Sequence, residues 1–319
     1  MNLMKEQKIR RHKISDGNPM AAMLISLMAG YVLLTFVVSI FEKTGTAVFG
    51  LPENSGYPAA AAGFVILLLY RLWYRPEFEG ALRGGHPEYA LKIGLPILIV
   101  WGTVPFMFML TPAVFGWPTA ITIGTSLAAG VCEEAVFRSF PLSTFMRRCR
   151  NERMIPVALI ISAVIFGATH GLNVLAGADK GSTASQVITA TLLGVFFGAL
   201  YLRCANLWPG IILHALNDII ALTNVSHVSE QGVVTGGASW WDYVDIVTCT
   251  VLAAISLWLI RPEKRAEIRE IWKHKWTLPD ETPATEVREA PVTEADEAAE
   301  YYNNEEQLML CPDHRAQNR

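Results

Sequence analysis

This 319-residue sequence is poor in charge: 17% of its residues are Asp, Glu, Lys or Arg, against 52% hydrophobic. That balance excludes an ordinary soluble enzyme, because the apolar excess is gathered into long runs. Cysteine is sparse as well. The five present, Cys132, Cys149, Cys204, Cys249 and Cys311, are odd in number and lack framework spacing, which argues against structural disulfides. No internal repeat stands out, which weighs against a transporter built from repeated halves.

What is there in abundance is membrane-length apolar sequence. A bilayer core needs about 20 apolar residues per helix. Candidate spans cover residues 20–41, 58–74, 90–110, 112–137, 154–170, 186–202, 207–223 and 242–260, eight in all. Pro112 and Pro118 interrupt the join between the third and fourth. The first run is longer than a signal h-region and has no convincing small-residue cleavage site, so it reads as a retained helix. The expected fold is all-α, a polytopic bundle of about eight transmembrane helices.

Basic residues orient the bundle. Lys5, Lys8, Arg10, Arg11 and Lys13 precede span one, and Arg71, Arg75, Arg83 and Lys92 follow span two. Arg147, Arg148, Arg150 and Arg153 follow span four, Arg203 follows span six, and a run from Arg261 to Lys275 follows span eight. All fall on one side of an eight-span chain, leaving Lys43 and Lys180 opposite. Cytoplasmic loops collect Lys and Arg, so both termini are expected in the cytoplasm, with the plasma membrane as the location if the chain is prokaryotic. Several tryptophans, among them Trp73, Trp208, Trp240 and Trp258, sit near span ends, where headgroups suit them.

Composition then divides the chain into a basic cytosolic arm at 1–17, a membrane domain at 18–262 and a cytosolic tail at 263–319. The tail is basic and then acidic. From about Leu278 it carries Asp280, Glu281, Glu286, Glu289 and further carboxylates, with little that could pack, and is expected to be disordered.

Against this apolar background, three polar clusters remain on spans four, five and seven: Glu133–Glu134–Arg138, His170, and His214–Asn217–Asp218. A charge near mid-helix costs about 2.5–3.5 kcal/mol on insertion scales, so several facing lipid is untenable. Glu134 and Arg138, four apart, can pair on one helix face. Glu133 is turned about 100° from Glu134 and can face another neighbour. His214 and Asp218 are also four apart, with Asn217 nearly on the same face. The economical account has the clusters converge inside the bundle. The structural alternative is an interfacial salt bridge at 134–138 and histidines that only join helices. Cys132 reads as a packing residue, and Gly194 with Gly198 as a close helix contact.

A carboxylate in an apolar cavity can serve as general base for water. Imidazole can donate to a developing oxyanion or ligate a metal, and an Asn or Asp behind it fixes its position. Such a set can hydrolyse an amide with or without zinc. Other hydrolase signatures are missing. No His-Glu-x-x-His occurs, Ser126 in GTSLAAG has neither glycine elbow nor base, and no paired aspartates lie on separate spans.

The motifs resemble a family. EEAVFR (133–138), FGATH (166–170) and HALND (214–218) match, in order, the Glu-Glu-x-x-x-Arg, Phe-x-x-x-His and His-x-x-x-Asn/Asp motifs of the CPBP intramembrane proteases, the CAAX protease and bacteriocin-processing family related to type II CAAX prenyl endopeptidases. The motif-bearing region is 113–223. The resemblance implies an eight-helix endopeptidase in which Glu133 activates water, Glu134 and Arg138 support it, and His170 and His214 stabilise the oxyanion. A divalent metal such as zinc, held by His170, His214 and Glu133, is the other form the resemblance permits. Asp218 stands where prenyl-processing members usually carry Asn, which puts CAAX specificity in question; Asn217 could take that role by a small rotation. The expected partners are the bilayer and a protein or peptide substrate, C-terminally processed or bacteriocin-like, with no nucleic acid. A proton-coupled transporter using the same residues, or a non-catalytic membrane scaffold, is the rival reading.

Overall fold

The computed structural model describes residues 18–50, 61, 65, 68, 69, 72, 85–96, 99, 120–230 and 240–276. Helix makes up 92% of these residues and no strand occurs among them, as expected where backbone groups must find partners within their own segment. The basic arm at 1–17, most of the expected spans at 58–74 and 90–110, and the acidic tail lie outside the described residues.

Among the described residues, four helical stretches are long and apolar enough to cross a membrane: Pro19–Phe49, Glu152–Leu175, Lys180–Cys204 and Asp242–Leu259. They coincide with four of the eight expected spans, while the apolar helix Trp208–Leu222 is shorter.

Helix α1, Pro19–Phe49, starts where the Asn18 side chain accepts from the amides of Met20 and Ala21, with Pro19 pre-set in the first turn. It is apolar on every side. Ala22, Met23, Leu27 and Val37 are buried, whereas Ile25, Val32 and Phe36 on the other side are exposed, the arrangement of a lipid-facing helix at a bundle's edge.

The fourth expected span does not stop near Phe137. Helix α2, Ala120–Glu134, passes through a π-helical turn, Ala135–Ser139, into helix α3, Phe140–Arg148. Pro141 is the physical cause. It has no N–H for the Phe137 carbonyl one turn back, and its ring presses on that turn. The backbone widens, with the Phe140 amide bonding to the Ala135 carbonyl, and the Ser162 hydroxyl donates to the carbonyl that Pro141 leaves open. Such π-bulges recur at functional sites.

Helix α4, Ile155–His170, packs along helix α5, Lys180–Cys204. Gly194 and Gly198 of α5 face Ala163 and Leu159 of α4, and a Cβ on Gly194 would stand 3.1 Å from the Ala163 Cα. The small residues therefore do what their spacing suggests: they let the two backbones close. Helix α6, Trp208–Glu230, lies against α2, and helix α7, Trp240–Leu259, against α5. Between these helices a core forms around Leu142, Phe145, Leu159, Ala199, Tyr201 and Leu202.

Helix α8, Pro262–Trp276, occupies the stretch that composition alone suggests is the basic start of a tail. It docks by Ile268 and Trp272, four apart and both buried. Trp272 donates its indole N–H to the Leu202 carbonyl at 2.9 Å and meets the Tyr201 ring edge-on at 5.2 Å. Arg203, itself buried, pairs with Glu267 at 3.0 Å, and Arg269 pairs with Glu152 at 3.3 Å around that anchor; the second, more exposed pair contributes little beside the buried indole.

Candidate active site

The three polar clusters meet where α2, α4 and α6 come together beside α5. Glu134 is fully buried and pairs with Arg138 at 3.1 Å, one turn on and inside the π-turn. The guanidinium also lies over the Phe166 ring, 4.1 Å from its centroid. Burying an arginine is tolerable only with such compensation, here one carboxylate and the rings of Phe166 and, at 5.9 Å, Phe197.

Glu134 has a second partner. Its Oε1 is 2.8 Å from Nδ1 of His214, a residue of α6. An ionised carboxylate only accepts, so Nδ1 carries the proton and donates. The imidazole is stacked on Phe197 of α5, with 5.1 Å between centroids and 14° between planes. A hydrogen bond at one nitrogen and a stacked ring leave His214 little freedom to turn. Its other nitrogen, Nε2, faces Glu133 Oε2 at 3.5 Å and Asp218 Oδ2 at 3.6 Å. Asn217 donates from Nδ2 to Asp218 Oδ1 at 3.1 Å.

The two adjacent glutamates therefore occupy different surroundings. Glu134 has no accessible surface, while the side chain of Glu133 is 26% exposed. The 100° turn between neighbouring helical positions places one in the core and the other at an accessible edge of the same imidazole.

His170 ends α4 and is half-buried. Its ring lies edge-on to Phe166 at 5.1 Å, and Phe166 in turn lies edge-on to His214 at 6.2 Å. Both histidines thus flank one phenylalanine, the first residue of FGATH. Residue counts put His170 and His214 at different distances along their helices; the shared ring spans that offset. Phe166 is the ring through which His170 meets that network.

Two positions that sequence alone left outside the site belong to its support. Phe197, which stacks on His214, lies in an apolar run with nothing to mark it. Ser162 is one of many small polar residues in the spans, and only its partner, the Phe137 carbonyl, reveals its part. The remaining candidates are accounted for structurally. Ser126 donates to the Thr122 carbonyl at 2.8 Å, and Cys132 is a buried thiol.

Among the described residues, no group of three or more His, Cys, Asp or Glu side chains is placed to hold a metal ion. The Nδ1 of His214 is committed to Glu134, and His170 stands across the Phe166 ring from His214.

Residues 115–220 match the family model described as type II CAAX prenyl endopeptidase Rce1-like. The matched segment is roughly a third of the chain and holds all three motifs. The resemblance to the CPBP intramembrane proteases therefore stands. With the apolar helices it defines an integral membrane protein and supports a CAAX-protease-like hydrolase. No curated protein and no solved structure matches the chain.

Proposed function

We propose that the protein is an intramembrane endopeptidase that hydrolyses a peptide bond in a membrane-associated protein or peptide, with Glu133 as the base that activates water. The observation that carries this reading is the division of labour around His214. One carboxylate, Glu134, is buried and holds Nδ1, while a second, Glu133, is accessible beside Nε2.

Amide hydrolysis needs a base for water, a donor for the oxyanion and a proton for the departing amine. Glu133 takes the proton of the attacking water and can return it to the amine nitrogen as the tetrahedral intermediate collapses. His214 donates from Nε2 in its imidazolium form, because Nδ1–H is already given to Glu134. His170 supplies a second imidazole across Phe166 for the carbonyl oxygen or the water. Glu134, paired with Arg138, keeps the His214 ring in place and touches no substrate. No metal enters this scheme.

Asp218 shapes the substrate side of the proposal. An ionised carboxylate accepts where an amide could donate, so a scheme in which residue 218 hydrogen-bonds the oxyanion is disfavoured. We assign that donation to the imidazoles. Prenylated C-terminal peptides and bacteriocin-like peptides are the two substrate classes to compare. In proteoliposomes with a peptide library read by mass spectrometry, wild type should yield discrete products. Glu133→Gln should lose them by about a hundredfold or more. A Glu133→Gln protein with the wild-type product pattern would remove the assignment. Activity unaffected by a chelator is expected, and loss restored by zinc would replace glutamate catalysis with a metal-dependent one.

A further inference from the structure

Glu134 has two carboxylate oxygens, and its hydrogen bond and ion pair both fall on one. Oε1 meets Arg138 and His214, whereas Oε2 is buried with no hydrogen-bond partner among the described residues. Beside Oε2 there is a side chain missing. A Cβ built on Gly210 would stand 3.1 Å from Oε2, 3.7 Å from Cδ and 3.9 Å from Cγ of Glu134. Gly210 is the third residue of α6, within the first turn, and follows Pro209. That turn is the electropositive end of the helix, a favourable neighbour for a carboxylate.

The surroundings leave Glu134 no easy retreat. Moving Oε2 away from an added methyl would also move Oε1, which is held at 2.8 Å by His214 and 3.1 Å by Arg138. Nor can α6 be shifted without loss. One turn further on it is pressed against α2: a Cβ on Gly130 would lie 2.9 Å from the Ile211 carbonyl and 3.3 Å from the Ala215 methyl. Withdrawing α6 would open that contact and carry His214 away from both glutamates.

We propose that Gly210 is a positioning residue for Glu134, and through it for His214. By presenting no side chain, it leaves the space that Oε2 fills, so that Oε1 reaches Nδ1. This inference rests on the reading of the site as a hydrolase only for its effect on turnover. The geometric effect on the imidazole stands separately.

Gly210→Ala tests it in the full-length protein in nanodiscs, with two readouts. In cleavage assays kcat should fall about ten- to hundredfold with KM unchanged, the signature of a displaced catalytic group. In ring 15N spectra of histidine-labelled protein, with His214 assigned by its loss in His214→Gln, the Nδ1 signal should move from its wild-type position. The spectrum decides even if wild type cleaves nothing, so failure of the hydrolase reading and failure of this inference give different results. Wild-type kcat with an unmoved His214 signal would overturn the inference, as would a change confined to KM. If Gly210→Ala does not fold, the same substitution is made beside Glu134→Asp, whose shorter side chain clears the methyl. Recovery of folding there attributes the defect to the contact at Glu134; no recovery overturns the attribution.

Discussion

Glu134 and His214, eighty positions apart in sequence, are joined by a 2.8 Å hydrogen bond between a fully buried carboxylate and the Nδ1 of a nearly buried ring. The bond ties α2 to α6 at the depth where the other polar residues gather. It also separates the two glutamates of the motif into one that holds the ring and one that stands accessible beside it.

Glu134→Gln and Glu133→Gln should therefore fail in different ways. Removing the charge at 134 leaves Arg138 buried opposite a neutral amide, a type of change that costs about 3–5 kcal/mol. Glu133 is partly exposed, so its amide should leave stability nearly unchanged while abolishing cleavage. Thermal melting of both variants in the same detergent checks this. Equal melting temperatures would contradict the assigned division.

Ser162→Ala should lower stability by about 1–3 kcal/mol, the cost of leaving a buried carbonyl without a partner. The affected group is the Phe137 carbonyl that Pro141 cannot serve. A Ser162→Ala, Pro141→Ala double variant should recover part of the loss, because residue 141 then supplies an amide. Melting of the four proteins of the cycle measures the coupling.

Trp272→Ala should release α8. The indole is among the largest fully buried side chains and donates to the Leu202 carbonyl. Truncating a buried aromatic typically costs about 3–5 kcal/mol. Limited trypsin digestion should then cut at Arg265, Arg269 or Lys273 while the rest of the bundle persists. A wild-type digestion pattern would show that the helix does not depend on its indole.

Lys275 gives α8 a pH dependence. Burial beside the Trp272 ring pushes its ammonium down to about 8, with Cys204 opposing weakly. The folded value lies below the ordinary lysine value of about 10.4, so between the two the unfolded chain binds more protons. Stability should then rise with pH across that window, by at most about 1.4 kcal/mol per unit. Below about 8 the full cost of holding the charged amine is present. Melting at a series of pH values up to 9.5 should show the rise in wild type and its loss in Lys275→Met.

The sequence made much of the site readable because charge is so costly in an apolar span. Glu133, Glu134, Arg138, His170, His214 and Asp218 were conspicuous by chemistry alone, and helical spacing anticipated the Glu134–Arg138 pair at 3.1 Å and the approach of Asp218 to His214. It did not reveal which nitrogen of His214 each glutamate meets, since that depends on how α2 and α6 cross. The π-turn escaped as well. The expected span ended at Phe137, whereas a serine on another helix compensates for the donor that Pro141 lacks, and such a partner is invisible in linear order. Helix α8 was hidden because basic composition outweighed two anchoring residues four apart. Gly210 carries no chemical signal at all; its part is visible only as space beside a carboxylate.

The widened turn at Ala135–Ser139 has a consequence for how the chain can vary. One residue beyond a regular turn resets the angular phase of everything after it by about 100° relative to what precedes it. The glutamates upstream and the wall that α3 builds against α1 are thus indexed independently. Deleting a single residue there would leave the composition almost untouched and yet re-aim the whole of α3, so the segment should tolerate substitution far better than a change in length.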